Sequence, residues 1–223
     1  MNQIKFYSQL NEYRSKYKGE MMVSYMLNDD NQQELDAHYF YMGVWAFNKI
    51  KKNTKKVHID VGGELNWAGI VSTLCPVEYV DIRPLHFGQL KGMTFITGDI
   101  KSMPYKSNSV ESLSCLHVLE HIGLGRYGDE IDIDGTRKAC AELARILKPG
   151  GNLYVAFPVG IERVIFNAHR IIEPREALSY FDGLKLKQLC ASHIDNDGQY
   201  RENVKIEDLV GSPYACAMFH FTK

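Results

Sequence analysis

Lys56-Val57-His58-Ile59-Asp60-Val61-Gly62-Gly63-Glu64-Leu65-Asn66 is the stretch from which the fold is read. Val57, Ile59 and Val61 alternate with polar positions, and β-branched residues favour a pleated strand. Two glycines follow, so the chain turns sharply where bare backbone lets a ligand come close. Asp60 stands at the carboxyl end of the strand, the end at which open α/β sheets bind ligands. Taken alone, the loop also reads as a plain strand-to-helix turn.

The residues after the turn choose between ligands. A dinucleotide needs G-x-G-x-x-G, with its pyrophosphate on a helix N-terminus. Counted from Gly62, Glu64 and Trp67 hold the second and third glycine positions; counted from Gly63, Leu65 and Ala68 do. A carboxylate at Glu64 would repel a pyrophosphate at short range. S-adenosyl-L-methionine has no phosphate and carries an ammonium and a sulfonium, so an acidic, glycine-containing loop suits it. Asp60, Val61, Gly62 and Gly63 are therefore read as a contact for S-adenosyl-L-methionine rather than NAD.

Strands and helices alternate outward from this point. A helix at 67–74 closes at Pro76, and Val77 to Asp81 is a second strand. Asp81, followed by Ile82, is placed to accept hydrogen bonds from both ribose hydroxyls, against the plainer role of a loop cap. Met93 to Thr97 is a third strand; after it, Asp99 is read as acceptor for an adenine amine and Ile100 as packing on the ring. Val110 to Leu116 is the fourth, with His117-Val118-Leu119-Glu120-His121 directly behind it. A helix at 135–147, capped by Asp134 or Thr136, ends at Pro149-Gly150-Gly151 before a strand at 152–157. A short helix at 174–180 and two strands, 184–191 and 214–221, complete the pattern, the strands as an antiparallel hairpin on the sheet edge. The class is α/β with a mostly parallel sheet of seven strands.

With 223 residues, one domain with appendages is expected. Residues 1–52 read as a helical arm or lid packed on the core: a helix near Phe6 to Tyr17, a loop through 28–31, and an amphipathic helix at 33–52. Leu35, Tyr39, Phe40, Met42, Val44, Ala46, Phe47 and Ile50 are read as its core stripe. Residues 53–223 form the ligand-binding domain. The lysines at 49, 51, 52, 55 and 56 suit a solvated helix end. A net charge of -1 argues against a nucleic-acid surface. The five cysteines are scattered without C-x-x-C, so neither a zinc ribbon nor a disulfide framework is suggested, and the odd count fits a reducing cytoplasm. No apolar run suits a membrane span, and Met1 to Lys5 lacks a signal peptide's apolar core, so a cytoplasmic protein is expected.

On these residues the chain resembles class I S-adenosylmethionine-dependent methyltransferases. His58 to Gly63 resembles the family's first motif, Val80-Asp81 the acidic second, and Gly98-Asp99-Ile100 the adenine-contacting third. His117 to His121 resembles the motif after the fourth strand, and Leu147 to Gly151 the loop before the fifth. Glu64 and Asn66 replace the second and third glycines of the family's D-x-G-x-G-x-G. The resemblance implies a Rossmann-like fold with helices on both sheet faces, and Leu116 and His117 near the transferable methyl group. Gly123 to Asp129, with Phe166 to Arg170, resembles a bacterial branch of this fold labelled a domain of unknown function. That branch is similar to enzymes encoded beside surface-polysaccharide genes, which implies a small-molecule acceptor such as a sugar or glycolipid.

Methyl transfer to a hydroxyl needs alignment of the acceptor and a base for its proton. His121 is the first base expected, His117 the second, with Glu120 beside them; either histidine also reads as a structural, hydrogen-bonding one. The same residues spell H-x-x-E-H, the inverted zincin pattern, which requires a helix and here follows an apolar strand. A hard divalent ion held by Glu120 and a histidine is an alternative. Arg126, Tyr127 and Asp129, on a glycine-rich loop, are read as acceptor contacts. Asn167, His169 and Arg170 read equally as acceptor contacts and as a structural tie from their segment to that loop through Asp129. The acidic run from Asp129 to Asp134 is discounted as an EF-hand: counted from Glu130, the first position is Glu and the twelfth is Ala141. The rival functions are a catalytically silent S-adenosylmethionine-binding scaffold and a metal-dependent hydrolase.

Overall fold

The computed structural model describes residues 3–16, 21, 36–54, 56–84, 90–194 and 197–223. The chain divides into two compact units, Met1–Asp36 and Ala37–Lys223. The first contains helix α1 (Gln3–Lys16). Tyr17, the loop expected at 28–31 and Leu35 lie outside the described residues.

The second unit opens with α2 (Ala37–Asn53), which buries Met42, Trp45, Ala46 and Ile50. Their i, i+3, i+4, i+8 spacing is one helical face. Tyr39, Phe40 and Val44, expected in the core, are 43%, 50% and 49% exposed. Trp45 takes the inward arc instead, and a stripe of this width leaves no room for them.

Strands β1 (His58–Val61), β2 (Val77–Asp81), β3 (Met93–Thr97), β4 (Val110–Leu116) and β5 (Leu147–Val159) follow, with α3 (Leu65–Val71) after β1 and α4 (Gly135–Ile146) before β5. Then come a hairpin of β6 (Arg163–Ile165) and β7 (His169–Ile171), helix α5 (Pro174–Ser179), and strands β8 (Lys185–Ser192), β9 (Tyr200–Arg201) and β10 (Ala215–Thr222). The main sheet runs β3-β2-β1-β4-β5-β10-β8-β9. Its first five strands are parallel. β10 lies antiparallel between β5 and β8, as the expected edge pair requires. The sheet has eight strands rather than seven, because two-residue β9 adds to β8 through Ala191 and Ser192. A strand that short carries no readable alternation.

Alternation along β5 feeds two cores. Leu153, Val155 and Phe157 pack with α4 through Ala139, Leu143 and Ile146. Tyr154 and Ala156 face α2 through Trp45, Ala46 and Ile50. The sheet is thus covered on both faces. Pro149-Gly150-Gly151 does not separate helix from strand. It bulges within β5, whose pairing with β4 jumps from Val110–Leu147 to Ser112–Asn152. Neither Asp134 nor Thr136 caps α4 with its side chain; the Thr136 hydroxyl donates instead to the Leu119 carbonyl at 2.8 Å. Chain order reverses between β1 and β4, and that switch point opens a crevice at the strands' carboxyl ends.

Candidate functional site

The crevice, about 250 Å³, runs across the ends of β1, β2, β3 and β4. Val61, Gly62 and Gly63 form its floor, Asp81 and Ile82 one wall, and Asp99 and Ile100 the far end. Leu116, His117 and His121 stand opposite, and Tyr127 and Asp129 close the mouth. Gly63 has no substitute: a Cβ there would lie 2.6 Å from Asp60 Oδ2. Gly62 holds φ +64, where side chains are strained.

Asp60 is behind this floor, fully buried. It accepts a short hydrogen bond from Ser114 Oγ. Ser114 Oγ is 2.8 Å from His58 Nε2, His58 Nδ1 is 2.8 Å from Ser112 Oγ, and Ser112 Oγ is 2.6 Å from Thr54 Oγ1. Burial pushes Asp60 up to about 7, although Ser114 and Gly63 oppose it, and drives His58 down to about 3. Between their ordinary values of 3.8 and 6.5, unfolding therefore ionises Asp60 and protonates His58. One group releases a proton as the other gains one, and this pair adds no pH slope to stability. Asp60→Asn leaves His58 alone. The unfolded state then binds the extra proton, and stability rises with pH by up to about 1.4 kcal/mol per unit across that window. Urea unfolding of variant and parent at a series of pH values measures the difference; parallel curves refute it.

Asp81 reaches the crevice with its carboxylate already engaged. Arg83 donates to Oδ1 from its backbone N at 2.8 Å and Nε at 2.9 Å, and to Oδ2 from Nη2 at 2.7 Å. Burial raises Asp81, but the Arg83 hydrogen bonds and charge outweigh it and hold the carboxyl below its usual range. The same guanidinium lies 4.9 Å from the Tyr127 ring centroid. A ribose diol at Asp81 must share the carboxylate with Arg83 or displace it.

His117 has φ +53, uncommon for a residue with a side chain. Its Nδ1 is 2.7 Å from Glu120 Oε1, with both side chains almost wholly buried. Its Nε2 is 3.5 Å from Cys216 Sγ, and Tyr39 stacks on its ring at 4.8 Å. Burial works to lower His117, but the Glu120 carboxylate outweighs it and the imidazole stays well above its ordinary value. Burial likewise works to raise Glu120, and His117 overrides it. The two form a buried ion pair.

Leu119–His121 is a single 3-10 turn, so H-x-x-E-H does not set two histidines on one α-helical face. This removes the geometry on which the zincin reading depends. The hard-ion reading gains no support, since Glu120 belongs to no metal-capable group among the described residues. Among the described residues the one metal-capable triad, His38, His117 and Cys216, contains no carboxylate. His121 is arranged differently. Its Nδ1 lies 2.6 Å from the Ala168 carbonyl, so that nitrogen carries the proton and Nε2 keeps its lone pair.

The loop after Gly123 is held by its own acids. Asp129 accepts from Gly123 N at 2.5 Å and Tyr127 N at 3.3 Å. A Cβ on Gly123 would lie 2.0 Å from the Asp132 carbonyl oxygen. Arg126 donates to the Ala168 carbonyl at 3.1 Å, and Arg170 to the Ile122 carbonyl at 2.5 Å. Arg126, Asn167, His169 and Arg170 lie outside the crevice wall, as do Asp60 and Glu120 behind it. Tyr39, Arg83 and Lys101 line it without having been singled out in the sequence. Tyr39 gave only a helical aromatic signal, and Arg83 and Lys101 sit two residues beyond recognised acids.

A family model described as "Caenorhabditis protein of unknown function, DUF268" matches residues 90–189. No curated protein matches the chain. Among solved structures, the N-methyltransferase NodS of Bradyrhizobium japonicum WM9, in complex with S-adenosyl-L-homocysteine, superposes with a TM-score of 0.55 at 12% identity over 83% of this chain and 87% of its own. The YcgJ protein of Bacillus subtilis gives 0.56 at 14% identity, over 82% and 98%. The [4+2]-cyclase SpnF gives 0.58 at 14% identity, over 88% and 84%. The chain has the fold of class I S-adenosyl-L-methionine-dependent methyltransferases.

Proposed function

We propose that this protein transfers a methyl group from S-adenosyl-L-methionine to a hydroxyl of a small molecule, a carbohydrate in the first instance. One observation carries the reading: a single crevice joins the glycine floor and the Asp99–Ile100 end to His121 and the Tyr127–Asp129 mouth. The residues fit the cofactor. Gly62 and Gly63 line the crevice with bare backbone, Ile82 and Ile100 offer apolar surface to an adenine, and Asp99 offers an acceptor. When bound, the cofactor supplies an electrophilic methyl group on a cationic sulfur.

The chain's own residues do the rest. Tyr127 and Asp129 orient the acceptor at the mouth. His121 Nε2 takes the hydroxyl proton, while the Ala168 carbonyl holds the ring through Nδ1. Glu120, with Oε1 3.9 Å from that Nε2, stabilises the imidazolium that results. Both nitrogens of His117 are engaged, so it shapes the wall rather than receiving the proton. A silent binding protein is the second reading, favoured by the Arg83 clamp on Asp81. Calorimetry with S-adenosylmethionine and S-adenosylhomocysteine, then labelled-methyl transfer to a panel of sugars, separates the two. Absence of binding ends both; binding without transfer to any hydroxyl acceptor leaves the second.

A further inference from the structure

Three side chains far apart in the sequence meet behind the His117 wall of the crevice. His38 comes from the first turn of α2, His117 from the exit of β4 and Cys216 from β10. We infer that they bind a borderline-soft divalent transition-metal ion, zinc in the first instance. Their donor atoms all lie within 4.8 Å of one another. Cys216 Sγ and His117 Nε2 are 3.5 Å apart. Zinc–ligand bonds of about 2.0–2.3 Å in a tetrahedron set neighbouring nitrogen and sulfur donors roughly 3.3–3.7 Å apart. One edge of the triangle therefore already has the required length, and small side-chain adjustments close the others.

The donor chemistry names the metal class. Two imidazoles and a thiolate without an oxygen ligand suit zinc and its neighbours, not magnesium or calcium. The surroundings also match a metal site. Glu120 Oε1, 2.7 Å from His117 Nδ1, fixes that ring and aims Nε2 at the cysteine; a carboxylate behind a ligating histidine is the usual outer partner. The ion displaces the protons on His117 Nε2 and Cys216 Sγ, which pass to solvent, so the ion pair belongs to the metal-free protein. His38, His117 and Cys216 are 6%, 8% and 0% exposed, so the site is dry. His117 also lines the crevice, which provides a path inward. His193 stands next to this triad but outside the set of donors that meet. Its ring centroid is 4.6 Å from that of His38, and its buried Nδ1 has no hydrogen-bond partner among the described residues. Cys216 is absent from the crevice wall, so the thiol is placed for ligation rather than for attack on a substrate. This site is independent of methyl transfer: the ion would brace α2, β4 and β10.

The test is titration of the untagged, chelator-stripped full chain with Zn²⁺ and with Co²⁺. One equivalent per chain is expected, with a thiolate-to-cobalt charge-transfer band and tetrahedral d–d absorption. Cys216→Ser removes the charge-transfer band, and Cys216→Ser and His38→Gln each weaken affinity by at least about 10-fold. His121→Asn binds as the parent does. The proposal is overturned if neither ion saturates the parent, if the cobalt adduct lacks the thiolate band, or if both ligand variants bind unchanged. Should a ligand variant fail to fold, the cobalt spectrum of the parent decides alone.

Discussion

His121→Asn lowers methyl transfer by about 10²–10⁴-fold, the usual contribution of a positioned general base, and leaves cofactor binding unchanged. The asparagine amide still donates to the Ala168 carbonyl that His121 Nδ1 contacts at 2.6 Å, so the turn keeps its shape. What disappears is the lone pair on Nε2. The companion variant His117→Asn separates the two histidines. His117 has Glu120 on one nitrogen and Cys216 on the other, so its loss acts on stability. Single-turnover rates, with calorimetry on the same samples, check both claims. An unchanged rate in His121→Asn would remove it as the base.

Glu120→Ala destabilises the fold by about 3–5 kcal/mol, the cost of breaking a buried ion pair from one side. Glu120 is 1% exposed and its partner 8%, so water cannot replace the lost carboxylate. The sign of the pH dependence follows from the two shifts. Glu120 is lowered, so its contribution is present above its ordinary 4.5 and fades as pH falls further. His117 is raised, so its contribution is complete below its ordinary 6.5 and is lost as pH climbs through the folded-state value. The gap between parent and variant is therefore widest between about pH 4.5 and 6.5. Urea midpoints at three pH values measure it. A gap that ignores pH would show that packing, not charge, is what Glu120 supplies.

The parallel half of the sheet was legible because each strand carries its own signal. Val57, Ile59 and Val61 alternate, Val77 to Asp81 repeats the pattern, and each run has an acid at its last or next-to-last residue before the turn. The crevice wall was legible for the same reason: Gly62, Asp81, Asp99 and His117 each follow a recognisable strand end. Illegible features depend on partners distant in sequence. Cys216 reads as one more small apolar residue of β10 until the fold sets it beside a histidine from β4. Arg83 has no periodicity to announce it, yet it decides what Asp81 is free to bind. For Arg170 the sequence left an acceptor contact and a structural tie open, because both roles put polar residues into an apolar run; its bond to the Ile122 carbonyl belongs to the tie.

The run of side chains from Thr54 to Asp60 has a polarity. With an ionised Asp60, each hydroxyl points its hydrogen towards the carboxylate, and His58 must carry its hydrogen on Nε2. Placing a proton on the Asp60 oxygen that faces Ser114 reverses every link, and His58 becomes the other tautomer. Nitrogen chemical shifts of one imidazole would thus serve as a gauge of the charge beneath the glycine pair, readable from the far side of the sheet's first strand.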